Sequence, residues 1–387
     1  MLSRRSALLA TPALLLASRV MAQSGIFNDR IVFGQAAPLD GPAAALGTGM
    51  RDGILAAFAE ANKAGGVHGR KLELIARDDG YEPTRSANVT RQLISEDNVF
   101  ALIGPVGTPT SQAAQPIAAE AGVPFIGPFT GAEFLRDAKL ANVINLRASY
   151  FQETEEMVER LTRDLGASRI AILFQDDAFG RAGLAGVQRA LTKRNMALVA
   201  EGTYERNTVA VRGAALAIQR GRPDAVIMVG AYKPCAEFIK TARQLRLNAT
   251  FVNISFVGSD ALAQELGAAG VGVVVTQVVP FPGDESLAMV KRYRAALAAA
   301  IPNSTPGFVS LEGYAVGRLA IAALAKAANP PTRDSLLNTI RTNSFDIDGM
   351  PLSFSAEKNQ GSDKVWLTVI QADGSFRAVE RFSGTQG

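Results

Sequence analysis

From Asp29 onward the chain alternates short runs of β-branched and apolar residues with longer, alanine-rich segments whose apolar positions recur at helical spacing. The short runs predict strands at 30–36 (RIVFGQA), 71–77, 99–104, 123–128, 169–175, 198–204, 224–230, 250–255 and 272–279. The longer segments predict helices over 47–64, 84–97, 110–121, 151–165, 180–194, 232–245 and 308–328. Such alternation predicts repeated βα units around parallel sheets. Nine strands exceed a sheet of ordinary size, so two sheets in two lobes are expected. After Pro351, PLSFSAE and KVWLTVIQADGSFRAV read as a terminal hairpin turning at Asp373-Gly374. No low-complexity tether interrupts the pattern, so the lobes should be joined by short crossings.

Composition adds a compartment. A chain of 387 residues, 48% apolar and 20% charged, buries a sizeable core. Residues 1–22, MLSRRSALLATPALLLASRVMA, carry Arg4-Arg5, an apolar stretch and a Val20-Met21-Ala22 ending, the features of a cleaved export signal. The apolar stretch is shorter than the roughly 18 residues that span a bilayer. The arginine pair leaves the general and twin-arginine export routes open. Arg4, Arg5 and Arg19 leave with this segment and no acid does, so the formal charge of +4 falls to about +1. Without a basic cluster, neither nucleic acid nor an anionic membrane is an expected partner. Cys235 is the single cysteine, which excludes an intrachain disulfide. No cysteine stands at the cleavage point, so a freely diffusing periplasmic protein is expected, with neither lipid anchor nor membrane insertion.

The chemistry concentrates in turns after strands. In GPVGTPTSQAA (104–114) a glycine-rich turn leads into a helix, where backbone N–H groups and the helix dipole favour an anion. No G-x-x-x-x-G-K pattern occurs, which excludes a phosphate loop of that type. Thr108, Thr110 and Ser111 remain as hydroxyls that cap the helix or donate to a small anion, with capping the expected role of Thr110 and Ser111. The next unit repeats the arrangement at Phe129-Thr130-Gly131. Carboxyl ends of neighbouring parallel strands share a crevice, so the two turns should form one carboxylate clamp. Phe179, Tyr232 and Phe256 are expected beyond strand ends of the second lobe as flat apolar walls, with Ser255 as a polar tip.

Catalysis finds little support. The only histidine, His68, lies in a helix-to-strand turn, and G-x-S-x-G, H-E-x-x-H and Cys/His clusters are absent. Asp176-Asp177 reads as a solvated pair and Cys235 as a small buried hydrophobe. No catalytic residue, metal or cofactor is expected.

Four stretches together, PLDGPAAALGTGMRDGILAAFAEANKAGGVHGRKLELIARDDGYEPTRS, VFALIGPVGTPTSQAAQPIAAEAGVPFIGPFTG, RIAILFQDDAFGRAG and GFVSLEGYAVGRLAIAALAKA, cover nearly the whole mature chain. They resemble the type I periplasmic binding proteins of ABC importers, in the leucine/isoleucine/valine-binding branch. The resemblance implies an α/β fold of two Rossmann-like lobes with parallel-sheet cores, joined by three crossovers. It places lobe 1 at 26–147 plus 281–354 and lobe 2 at 148–280 plus 355–387. It implies a hinge that closes on a small ligand and an ABC permease as partner. Carried onto this sequence, Thr108, with Gly107 before it, stands for the carboxylate-binding hydroxyl. Phe129, Thr130 and Gly131 match the second carboxylate turn, Phe179 and Tyr232 the closing aromatics, and Leu46 and Phe308 a side-chain pocket. A monomer with one site is the simplest expectation.

Ser255 departs from the pattern, because amino-acid binders of this branch place an acid there for the ligand ammonium. Either Asp176, Asp177, Asp260 or Glu312 substitutes, or the ligand is a plain aliphatic, aromatic or keto acid. The expected function is a receptor for a small carboxylate, a branched-chain-like amino acid foremost. The alternative is a sensor module that reports a non-amino carboxylate, an aliphatic, aromatic or keto acid, to a membrane receptor.

Overall fold

The computed structural model describes residues 24–382, so the export segment at 1–22 lies outside the described residues. The first sheet holds β1 (Arg30–Ala37), β2 (Lys71–Asp78), β3 (Ala101–Ile103), β4 (Phe125–Ile126) and β5 (Val143–Ile144), in the order β2-β1-β3-β4-β5. All its pairings are parallel. Helices α1 (Ala44–Lys63), α2 (Pro83–Ser95) and α3 (Thr108–Glu120) make its crossovers. β1 is apolar and buried almost throughout, as a parallel strand covered on both faces must be. β4 is shorter than the 123–128 run because Pro124 and Pro128 offer no ladder N–H and Gly127 turns at φ +59°.

The chain then enters the second body through α4 (Tyr150–Leu165), which is opened by a Ser149–Gln152 capping box and closed by Gly166 in the left-handed region. There follow β6 (Ile170–Gln175), α5 (Ala178–Thr192), β7 (Ala200–Tyr204), α6 (Arg212–Arg220), β8 (Ala225–Val229), α7 (Tyr232–Gln244), β9 (Thr250–Asn253), α8 (Ser259–Leu266) and β10 (Val274–Gln277). The chain returns to the first body for α9 (Ala288–Ala300), α10 (Phe308–Lys326), α11 (Arg333–Thr342), β11 (Ser344–Ile347) and β12 (Met350–Ser353). It crosses back a third time for β13 (Trp366–Ile370) and β14 (Phe376–Val379). The second sheet therefore runs β14-β13-β10-β9-β8-β6-β7, parallel except for its last two antiparallel pairings. The protein is an α/β molecule of two lobes with parallel-sheet cores.

One expectation is corrected. PLSFSAE does not pair with the terminal run; β12 pairs with β11 in a separate ribbon turning at Asp348-Gly349, and β13 pairs with β14 around Asp373-Gly374. The run KVWLTVIQADGSFRAV carries both strands of its own hairpin, which leaves PLSFSAE without a partner there.

α10 is long and apolar enough to cross a membrane, but most of it is buried. It packs on α1 through small residues. A Cβ on Gly53 would lie 2.0 Å from the Ser310 carbonyl oxygen, and one on Gly313 2.3 Å from that of Met50. Both obstacles are backbone, so neither yields by a rotamer change. Gly53→Ala is expected to destabilise the protein by about 3 kcal/mol, at the upper end of overpacking costs, seen as a lowered thermal midpoint; an unchanged midpoint contradicts the tight crossing.

Candidate functional site

The carboxyl ends of both parallel sheets face one another, so the turns after β2, β3 and β4 meet those after β6, β8 and β9. Val106 and Phe129 form a bridge between the turns after β3 and β4, with Gly107 N–H donating to the Phe129 carbonyl at 3.2 Å. This brings the Thr108 and Thr130 hydroxyls within 2.7 Å of each other, and Thr130 donates to the Tyr150 hydroxyl at 3.3 Å. All three side chains are buried. Burial raises the Tyr150 phenol above its ordinary value, so it remains a proton donor.

Gly107 caps α3 at φ +105°, and a Cβ there would stand 2.4 Å from the Tyr81 ring. The expected caps are not formed. Thr110 donates back to the Val106 carbonyl, and Ser111 Oγ is buried without a hydrogen-bond partner. With Gly107 at the cap position, both hydroxyls already lie inside the first helical turn.

An aromatic cluster closes the cleft. The Phe256 ring packs against Phe179 at 4.5 Å, Phe129 at 5.2 Å and Tyr81 at 6.0 Å between centroids, and Phe179 packs on Tyr150 at 5.5 Å. Phe129 and Tyr81 follow strands of the first sheet; Phe179 and Phe256 follow strands of the second. Gly131 backs the cluster, since a Cβ on it would sit 2.4 Å from Tyr150 Cδ1. Tyr232 and Leu46 meet at the flank: the Tyr232 hydroxyl accepts from Ala45 N–H at 3.5 Å, and Leu46 closes over Gly258. Phe308 does not join them, because its ring packs on Phe281 and Phe376 at 5.9 and 5.4 Å.

Polar contacts cross the cleft at both edges. Arg206 joins Asp177 to Glu82, both at 2.9 Å, and Asn207 donates to Glu82 at 2.7 Å and to the Gly80 carbonyl at 3.1 Å. At the opposite edge Asp260 accepts the Phe308 N–H at 3.0 Å. The lobes are therefore in contact, in a closed arrangement.

Ser255 sits among charges that the sequence pattern did not reveal. Its hydroxyl accepts from Arg147 Nη2 and donates to Glu153 Oε1 at 3.0 Å, while its N–H donates to Glu153 Oε2 at 2.9 Å. Thr276 donates to the same oxygen at 2.5 Å. Arg147 Nη2 lies 3.3 Å from Glu153 and Nη1 3.6 Å from Glu312, and the guanidinium stands 5.0 Å over the Phe129 ring. Arg147 and Glu153 are wholly buried. Burial works against the arginine charge, but Glu312 and Glu153 offset it and hold the guanidinium above its ordinary value. Burial pushes the Glu312 carboxyl up to about 7.

Of the four acids considered for this end, only Glu312 reaches it. Asp176 pairs with Arg181, Asp177 caps α5 through the Phe179 N–H, and Asp260 is held by Phe308. Glu153 points inward from the first turn of α4, directly after the capping box. An acid beside the apolar stripe of a well-capped helix was the available signal, but most such acids lie at a helix border in water.

His68 Nε2 lies 3.1 Å from the Leu324 carbonyl at the amino end of β2, away from the cleft. Burial pushes the Cys235 thiol far up, so it is inert packing. Among the described residues no group of three or more His, Cys, Asp or Glu gathers to hold a metal.

Residues 30–375 match the periplasmic binding protein family. An amino acid binding protein of Pseudomonas aeruginosa is 26% identical over 325 residues, covering 82% of this chain and 84% of its own. The crystal structure of a possible leucine/isoleucine/valine-binding protein from Rhodopirellula baltica SH 1 superposes with a TM-score of 0.87 at 40% identity, covering 92% of this chain and 97% of that one. A substrate-binding periplasmic protein from Ralstonia solanacearum superposes with a TM-score of 0.85 at 27% identity, covering 90% of this chain and 100% of that one. The chain belongs to the periplasmic binding proteins, a family of ligand-binding receptors rather than enzymes, in its two-lobed type I form.

Proposed function

We propose that this protein is the periplasmic receptor of an ABC importer, which captures a small carboxylate between its lobes by hinge closure and delivers it to a permease in the inner membrane. The observation that carries the reading is the buried hydroxyl group of Thr108, Thr130 and Tyr150, set at two adjacent strand-to-turn junctions. Hydroxyls that now bond one another can turn their protons to a carboxylate, and bonds to a charged partner are worth roughly 1.5–3 kcal/mol each. Gly107, Phe129 and Gly131 shape this end; Phe179, Tyr232 and Leu46 close over the ligand, and Ser255 lies at its other end. Phe308, packed elsewhere, is not assigned to the pocket. The relatives named for amino acids make an amino acid, branched-chain-like, or a close structural relative the expected ligand class.

The export segment at 1–22 would bring the chain to the periplasm, where a monomer with one site suffices. Closure then presents both lobes to the permease in a fixed relation, which is how occupancy becomes a signal for transport.

Two outcomes test this reading. Thr108→Val is expected to weaken capture of a bound carboxylate at least tenfold by titration calorimetry, with the circular dichroism spectrum unchanged; wild-type affinity in the variant rules out the clamp. Arg206→Ala removes a half-exposed link across the cleft edge, where ion pairs are worth up to about 1 kcal/mol. It is expected to weaken binding about fivefold and to enlarge the unliganded radius of gyration in small-angle scattering. An unchanged affinity and radius would mean that the edge contact contributes nothing to closure.

A further inference from the structure

The middle of the cleft is filled by a side chain of the protein itself. The Phe256 ring, wholly buried, lies 5.2 Å from Phe129 and 6.0 Å from Tyr81, both of the first lobe, and 4.5 Å from Phe179 of the second. Rings at such separations touch, here with 32–52° between their planes. A ligand body held between two walls needs them roughly 7–8 Å apart, twice the contact distance of carbon atoms. Nothing therefore fits between Phe256 and its partners across the cleft. Both polar ends of the cleft lie beside the neighbours of this ring: Phe179 packs on Tyr150, whose hydroxyl joins Thr130, and Arg147 stands over Phe129. A body reaching from the Thr108, Thr130 and Tyr150 hydroxyls toward Ser255 has to pass where the Phe256 ring now stands.

We propose that Phe256 holds the ligand's place in the closed cleft and that the ligand displaces it with an aromatic ring of its own, so that the receptor captures an aryl carboxylate. This deepens the receptor reading and rests on it. The three neighbours of Phe256 are themselves rings, tilted as attracting aromatic pairs are. An aryl group in the same place restores all three pairs. A branched alkyl group regains buried area but not the edge-to-face attraction between rings. A ring is required whether or not the acid also carries an amino group.

The backbone suits such a displacement. Phe256 sits in a single 3-10 turn, Ser255–Val257, which ends at Gly258 with φ +79°. That turn abuts the first lobe, since a Cβ on Gly258 would lie 2.6 Å from Leu46 Cδ2. Opening of the lobes therefore releases the ring from Phe129 and Tyr81 and the turn from Leu46 together. Apparent affinity is reduced by the fraction of molecules in which the ring still fills the cleft. Phe256 thus acts against the ligand, the opposite of a wall residue.

The test is calorimetric titration of the mature protein, unfolded and refolded to strip carried-over ligand, with two matched pairs: 3-phenylpropanoate against 4-methylpentanoate, and phenylalanine against leucine. At least one aryl compound is expected to bind tenfold or more tightly than its alkyl counterpart. Equal or tighter binding of the alkyl member in every pair that binds overturns the inference and leaves the receptor reading intact. If none of the four binds, the carboxylate reading fails with it. Phe256→Ala is expected to bind the preferred aryl compound at least fivefold more tightly than the wild type, while its unliganded thermal midpoint falls. Unchanged or weaker binding makes Phe256 a wall and overturns the displacement. Phe256→Leu, which keeps an apolar side chain of smaller bulk, gives the same comparison if the alanine variant does not fold.

Discussion

The closed molecule depends on how it buries one guanidinium. Taking an arginine charge out of water costs several kcal/mol unless good partners meet it. Arg147 lies in the crossing between β5 and α4, and its partners come from four other places: Phe129 after β4, Glu153 on α4, Ser255 after β9 and Glu312 on α10. Phe129 and Glu312 belong to elements of the first body, and Glu153 and Ser255 to the second. The cation is therefore compensated only while both bodies are in place. A charge at a crossing, rather than on either lobe's outer face, makes the electrostatics of the cleft depend on its closure.

The remaining contacts divide the work by chemistry. Aromatic rings from both lobes meet at Phe256 and supply area without direction, whereas the Thr108, Thr130 and Tyr150 hydroxyls supply direction and little area. The edge contacts of Arg206, Asn207 and Asp260 are wetter and individually weak. Such a distribution suits a cleft that must open again: the strongly directional groups are few and central, and the periphery is reversible.

Much of the fold was legible because parallel strands buried on both faces read as short apolar runs, and the helices between them carry a 3.6-residue period. The helices predicted from 151 and from 232 begin at Tyr150 and Tyr232. α6, α8, α9 and α11, all short at 8–13 residues, were not singled out, although α6 and α11 carry a clear amphipathic period. The two hydroxyl turns were legible for a topological reason, since consecutive βα turns must lie side by side. Phe308 was misplaced because residue type and position before a helix do not tell which neighbour a ring will choose.

The charge cluster was not legible, and the reason is physical. Glu312 is far in sequence from Arg147 and Glu153, and each of the three sits where an exposed charge would be unremarkable: a crossing, the first turn of a helix, an alanine-rich helix. What sets them apart is loss of solvent, a property of the assembled lobes. Ser255 was the one local sign, a neutral residue where a charge was expected. Read alone it suggested a missing partner for an ammonium. With Arg147 donating to it and Glu153 accepting from it, the same serine is the neutral spacer of a cation–carboxylate pair. Its neutrality is then required, because a carboxylate at 255 would stand against Glu153, to which the serine hydroxyl donates.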